Sequence, residues 1–167
     1  MTLPGYNPGD VANASPRIIL PNQGRSITIG KSTYTFKVTG EDTYGKFWLF
    51  ELRLQGGYGI KPHTHHELLE MFYVVDGDVS FLVGSEQKIL PRGSIATIPR
   101  NEKHAFANSS SSDAIIHIMF CPAAKRERYF EELASLAKQA GEVDPDRMRR
   151  LWEANDQFPA DDPNWPF

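Results

Sequence analysis

The chain has 167 residues, 40% of them hydrophobic and 23% charged, which fits one folded domain of ordinary size. A formal charge of −3 offers no basic field to a phosphate backbone, so no nucleic-acid partner is expected; no apolar run reaches the ~18–20 residues of a spanning helix, so no membrane partner is expected either. The lone cysteine, Cys121, cannot close an internal disulfide, and the opening stretch is neither basic nor apolar, so a cytoplasmic protein without a secretory signal is expected.

Residues 1–16, rich in Pro, Gly and Asn, read as an extended arm. From 17 to 122 short β-type runs follow one another, separated by Gly, Pro and Asp. In the first, Tyr34, Phe36 and Val38 alternate with Thr33, Thr35, Lys37 and Thr39. The later runs KFWLFELRL, LEMFYVV, VSFLV, QKIL, SIATI, HAFAN and AIIHIMF give an all-β sandwich or barrel, not βαβ units. Asp76-Gly77 reads as a two-residue hairpin turn that pairs Val74 with Val79, Phe72 with Phe81 and Glu70 with Val83. That register puts the Glu70 carboxylate on an apolar face, a costly position unless a partner compensates it. Met71, Tyr73 and Val75 occupy the opposite face, and a homodimer contact there is expected.

Helical spacing takes over after Pro122. Tyr129, Phe130, Leu133, Leu136, Ala137 and Ala140 form one stripe, which Gly141 would stop. Asp144-Pro145 reads as an N-cap followed by proline at the first helical position, opening a second helix with Met148, Leu151 and Trp152 on its apolar side. The two helices fall within 125–156 and are expected to pack on the outside of the barrel. The proline-broken end, 157–167, is expected to be irregular, with Trp165 and Phe167 able to dock. The whole of 1–167 reads as a single domain.

The segment richest in chemistry runs from Gly57 to Gly77. His63 and His65 are two apart, so on a strand both rings project to one side; Pro62 suits an edge or a bend. The turn His66-Glu67-Leu68 would bring Glu70 back on the next strand. His104 begins a later β run after a Pro99/Asn101 turn. Three imidazoles and a carboxylate suit a divalent first-row ion (Fe, Ni, Mn, Cu, Co or Zn), and four protein ligands on a six-coordinate ion leave two positions open. The combined pattern is G-x5-H-x-H-x4-E-x6-G, a gap of 15 residues, then G-x5-P-x-N-x2-H-x3-N. It assigns His63, His65, Glu70 and His104 as metal ligands.

These two segments resemble the signature motifs of the cupin superfamily, with Asn101 standing where many members have glycine. The resemblance covers roughly residues 26–122 and implies a jelly-roll β-barrel holding its metal inside, followed here by a pair of short C-terminal helices. The run Tyr34–Gly45, the phrase Phe72-Tyr-Val-Val-Asp-Gly and the Arg128-Tyr-Phe-Glu-Glu-Leu helix look like single-domain cupins similar to bacterial quercetin 2,3-dioxygenase. That resemblance implies a metal-dependent dioxygenase acting with dioxygen on a small aromatic or enolic substrate, with Glu70 as both ligand and catalytic base. A non-oxidative isomerase, cyclase or lyase using the metal as a Lewis acid, or a non-catalytic small-molecule binder, would carry the same sequence. Phe36, Trp48, Phe72 and Phe106 are the expected pocket walls. His66 and Glu67 read as solvated, His117 as a satisfied core or barrel-wall residue, Cys121 as a small packed residue, and Arg147, Arg149 and Arg150 as a solvated face.

Overall fold

The computed structural model describes residues 17–124, 126–138 and 143–167. The expected N-terminal arm and the Ala140–Gly141 helix stop lie outside them. Among the described residues the strands form two facing antiparallel sheets, the cupin jelly roll. One sheet runs in the order β1 (Arg25–Ile29), β2 (Ser32–Val38), β3 (Trp48–Leu54), β10 (Ala114–Cys121), β5 (Leu69–Asp76) and β8 (Ile95–Ile98). The other runs β11 (Phe158–Pro159), β4 (Tyr58–Thr64), β9 (His104–Asn108), β6 (Val79–Val83) and β7 (Glu86–Leu90). Helices α1 (Arg126–Ala137) and α2 (Pro145–Ala154) follow β10.

Side-chain alternation builds the interior. Along β5, Glu70, Phe72 and Val74 are buried while Met71 and Val75 are half-buried and Tyr73 is exposed; along β10, Ala114, Ile116, Ile118 and Phe120 are buried. Burying each large apolar side chain contributes about 1.5–3 kcal/mol. The densest packing is aromatic, with Trp48 4.7 Å from Phe50 and 5.1 Å from Phe36 between ring centroids.

The expected Asp76-Gly77 hairpin does not form. β5 pairs with β10 and β8, whereas β6 pairs with β7 and β9, so the turn is a corner that carries the chain from one sheet to the other. Gly77 sits there at φ +77°, a left-handed conformation that suits glycine. Phe72 and Phe81 do meet, with centroids 4.8 Å apart, but across the two layers and not along a ladder. A two-period pattern fixes which face a residue is on; it does not fix which sheet its strand joins. The tight hairpin comes one strand later, at Gly84-Ser85, where Val83 opposes Glu86.

The C-terminal region also departs from expectation. The tail is not wholly irregular, since Phe158 and Pro159 add a short strand to β4 while Trp165 docks as expected. Proline is tolerated there because β11 is an edge. Helix α1 does more than cover the barrel: Phe130 lies 5.2 Å from both Trp48 and Phe50, within the aromatic core. On α1 the buried positions are Arg126, Tyr129, Phe130, Ala134 and Leu136, and Ala137 is exposed. Helix α2 starts as expected, the Asp144 carboxylate accepting from the Asp146 amide at 3.0 Å with proline at the first turn. Cys121 is exposed, because the inward alternation of β10 ends at Phe120. No helix among the described residues is long and apolar enough to cross a membrane.

Candidate metal centre

The four donor residues arrive from both sheets. His63 on β4 lies directly opposite His104 on β9. Between Ile60 and His63 the ladder slips by one residue, a bulge at Lys61-Pro62. The slip reverses the strand's parity, so Ile60 and His63 both face the interior although they are three apart. His65 follows the end of β4, and Glu70 enters on β5 from the facing sheet. All four are buried, and one ligand atom from each lies within 4.8 Å of the others. The turn before His104 is tied back to this group: Asn101, at φ +65°, donates its amide to the His65 carbonyl at 2.6 Å. Asparagine supplies the left-handed conformation that glycine often fills.

The hydrogen bonds of the imidazoles fix their tautomers. His63 Nδ1 donates to Lys61 O at 2.8 Å, His104 Nδ1 to Glu102 O at 3.0 Å, and His65 Nδ1 to Asp156 O. A carbonyl can only accept, so in the neutral rings every Nε2 carries the lone pair. His65 Nε2 is buried, has no hydrogen-bond partner, and lies 3.2 Å from Glu70 Oε2. A lone pair facing a carboxylate is an unfavourable contact that a cation between them would turn into two bonds. The donor set therefore fits a divalent transition ion, and this cluster could bind one.

Without an ion, protons do part of that work. His104 Nε2 lies 2.8 Å from Glu70 Oε2. Burial would lower the His104 pKa, but the Glu70 carboxylate outweighs it and holds the ring above its ordinary value. Burial would likewise raise Glu70, and the imidazoles of His104 and His65 hold it well below the usual carboxylate range. His63 moves the other way: burial, with the His104 charge beside it, takes it to about 3, so its ring stays neutral.

A cavity of about 620 Å³ opens beside the donors and reaches them through His63 and Glu70. Its walls are mainly apolar and rich in aromatic residues, including Tyr34, Phe50, Phe106, Phe120, Tyr129 and Phe130. Of the expected pocket residues only Phe106 lines it. Phe36, Trp48 and Phe72 are corrected to core positions: Phe36 and Trp48 pack edge-to-face, and Phe72 is enclosed by Phe81 and Phe106. Shared strand parity puts them on the inward face, but neighbouring rings pack against them, whereas Phe50 and Phe120 also border the cavity.

Several contributors were not visible in the sequence. Asp156, just past α2, accepts the amides of His66, Glu67 and Leu68 on its carboxylate at 2.8, 2.9 and 2.9 Å, while its carbonyl holds the His65 ring. The His66 side chain is exposed and stacks on Phe158, with centroids 3.9 Å apart. About 90 positions separate Asp156 from the turn it holds, and no local pattern marks it. Helical spacing accounts for Tyr129, Phe130 and Trp152 as packing residues, yet all three also line the cavity. His117 faces outward on β10, half-buried, 3.2 Å from Glu51.

Fold and site together define a cupin-type barrel. Residues 50–120 match the family model described as Cupin domain. Among solved structures the chain is similar to a predicted oxalate decarboxylase from Thermotoga maritima (15% identity, TM-score 0.61, 64% of this chain and 99% of that one). It is also similar to KdgF from Halomonas sp. (15%, 0.58, 65% and 94%). A third is the polyketide cyclase RemF from Streptomyces resistomycificus (17%, 0.56, 64% and 80%). At these identities the likeness shows the fold alone. No curated protein sequence matches the chain.

Proposed function

We propose that the protein is a metal-dependent cupin enzyme, a dioxygenase acting on a small aromatic or enolic compound of flavonol type. The observation that carries this reading is the junction of two environments: a four-donor cluster whose His63 and Glu70 form part of the wall of an aromatic cavity. Aromatic walls with few polar groups select a flat apolar body, and the cavity volume is in the range of drug-sized ligands. His63, His65, Glu70 and His104 would hold the ion, which when bound supplies Lewis acidity and open positions for substrate and dioxygen.

The chain's own residues supply the rest. The Glu70 carboxylate, held ionised beside His104 and His65, is placed to accept the proton of an acidic enol. Its low pKa limits it to acidic substrates, in keeping with an enol and not an ordinary alcohol. Tyr129, Phe130 and Trp152 line the cavity and would pack against a bound aromatic body.

The test is an oxygen-electrode assay with the metal-reconstituted protein and a flavonol panel, run aerobically and anaerobically. Dioxygen uptake matched to substrate loss is expected. Product without oxygen uptake would replace this reading with the non-oxidative isomerase, cyclase or lyase, and tight binding without product would replace it with a binding protein.

A further inference from the structure

Arg126 opens α1, outside the segment that carries the donor cluster, and its side chain is buried in the cavity wall at 1% exposure. Its guanidinium lies over the rings of Phe120 (4.3 Å), Tyr129 (4.6 Å) and Phe130 (5.5 Å). Nη1 donates to Asn155 O at 2.5 Å and Nη2 reaches Gln157 Oε1 at 3.4 Å, while Nε has no partner. Among the described residues no carboxylate oxygen comes within 4.0 Å of it. The Glu70 and Asp156 carboxylates support the charge only from beyond that distance, so the buried cation keeps part of its desolvation cost, and tying α1 to the Asn155 carbonyl would need only a neutral donor. Ring faces offset part of that cost. The charge is left for something that enters the cavity.

Resting on the function proposed above, we infer that Arg126 is the anion-recognising residue of the cavity, which takes a planar aromatic molecule carrying an ionised acidic oxygen, a carboxylate or an enolate. A guanidinium matches such a group in plane and charge, and its flanking rings present the surface on which the aromatic body lies. Glu70 lines the same cavity, so the site holds a fixed cation for the anionic oxygen and a fixed base for proton removal. Burial lowers the pKa of the guanidinium by more than the nearby Tyr129, Glu70 and Asp156 raise it, and an incoming anion would add to the raising side.

The test uses the full chain freed of metal, so that no ion attracts the ligand, and measures binding by calorimetry. Two matched pairs serve as probes: 2-naphthoate against neutral 2-naphthalenemethanol, and 4-hydroxycoumarin, ionised at neutral pH, against coumarin. Charge-assisted hydrogen bonds predict that at least one anion binds about tenfold or more tightly than its neutral counterpart. The pair that shows the preference says whether carboxylate or enolate is preferred. Arg126→Gln should remove the preference and leave neutral binding within about twofold, while Arg126→Lys, which keeps the charge, should retain part of it. Absence of preference in the unmodified protein, or a preference surviving in Arg126→Gln, would overturn the inference. If Arg126→Gln does not fold, the unmodified protein and Arg126→Lys still decide: both must favour the anion. Because no metal or turnover is involved, failure here is distinct from failure of the oxygen assay.

Discussion

The donor floor and the C-terminal cap of the cavity are built on opposite principles. The floor is polar, and its residues come from two neighbouring strands, a turn and one facing strand within a stretch of 42 positions, His63 to His104. Backbone carbonyls of Lys61 and Glu102 orient two of its rings from two residues away. The cap is rich in aromatic residues, follows β10 in the chain, and meets the rest of the molecule through long-range contacts: Phe130 in the core, Arg126 in the cavity wall, and Asp156 on the turn between His65 and Glu70. Donors need fixed geometry, which short strand segments supply. Selectivity needs a shaped wall, which can be added by whatever packs over the opening. The third ring, His65, joins the two regions, since its orienting carbonyl belongs to the cap.

The hardest blow to the comparison is a change in the floor alone. His63→Ala combined with His104→Ala should reduce bound metal, by elemental analysis, from near one equivalent to background while the β-type circular dichroism persists. Retained metal would show that the floor is not the donor set. A cap change comes next. Phe130→Ala leaves a cavity beside Trp48 and Phe50 and should cost about 3–5 kcal/mol in denaturant unfolding; a cost below about 1 kcal/mol would make α1 a mere cover.

Asp156→Ala probes the link between the regions. Three amides of the ligand turn lose their acceptor, at a cost of about 1–3 kcal/mol if they stay dry. Losing hydrogen bonds that orient the turn between two metal-ligating residues should weaken metal binding about 10–100-fold, to be read by chelator competition. Unchanged affinity would separate cap from floor.

The smallest effect is expected from acid. His63 sits at about 3 in the folded protein against an ordinary 6.5, so between those values the unfolded chain binds more protons. The metal-free protein should lose stability as pH falls from 6.5. Below the ordinary carboxylate range Glu70, also depressed, adds to the loss. His104, raised, has the opposite sign: its contribution is full below 6.5 and fades as pH rises through its folded value. The melting temperature should drop by a few degrees between pH 6.5 and 4.5, and His63→Leu should flatten that window. An equal drop in the variant would remove His63 as the cause.

How much of this could be read along the chain follows from the same contrast. Spacing put His63 and His65 on one side of a strand and Glu70 on an apolar face, because side-chain direction along a strand is a local property with a period of two; the gathering of His104 with them is what the cupin resemblance implied. Spacing also marked the strands from Tyr34 onward and the Asp144 cap of α2, each fixed by a few consecutive residues. The Asp76-Gly77 turn shows where locality ends: a positive-φ corner looks the same in sequence whether it closes a hairpin or changes sheet. Phe36, Trp48 and Phe72 failed as pocket walls for a related reason, since pointing inward is a matter of parity whereas lining a void depends on what packs opposite.

By itself, then, the sequence determined an all-β fold, which follows from strand periodicity and turn chemistry, and its resemblance to the cupin motifs implied a barrel with three imidazoles and an acid inside. Only the tertiary structure decided that Arg126 is buried with no carboxylate within ion-pair distance and that Asp156 holds the ligand turn. It alone decided too that α1 shapes the cavity, because each of these depends on contacts between segments far apart in the chain, which no local pattern encodes.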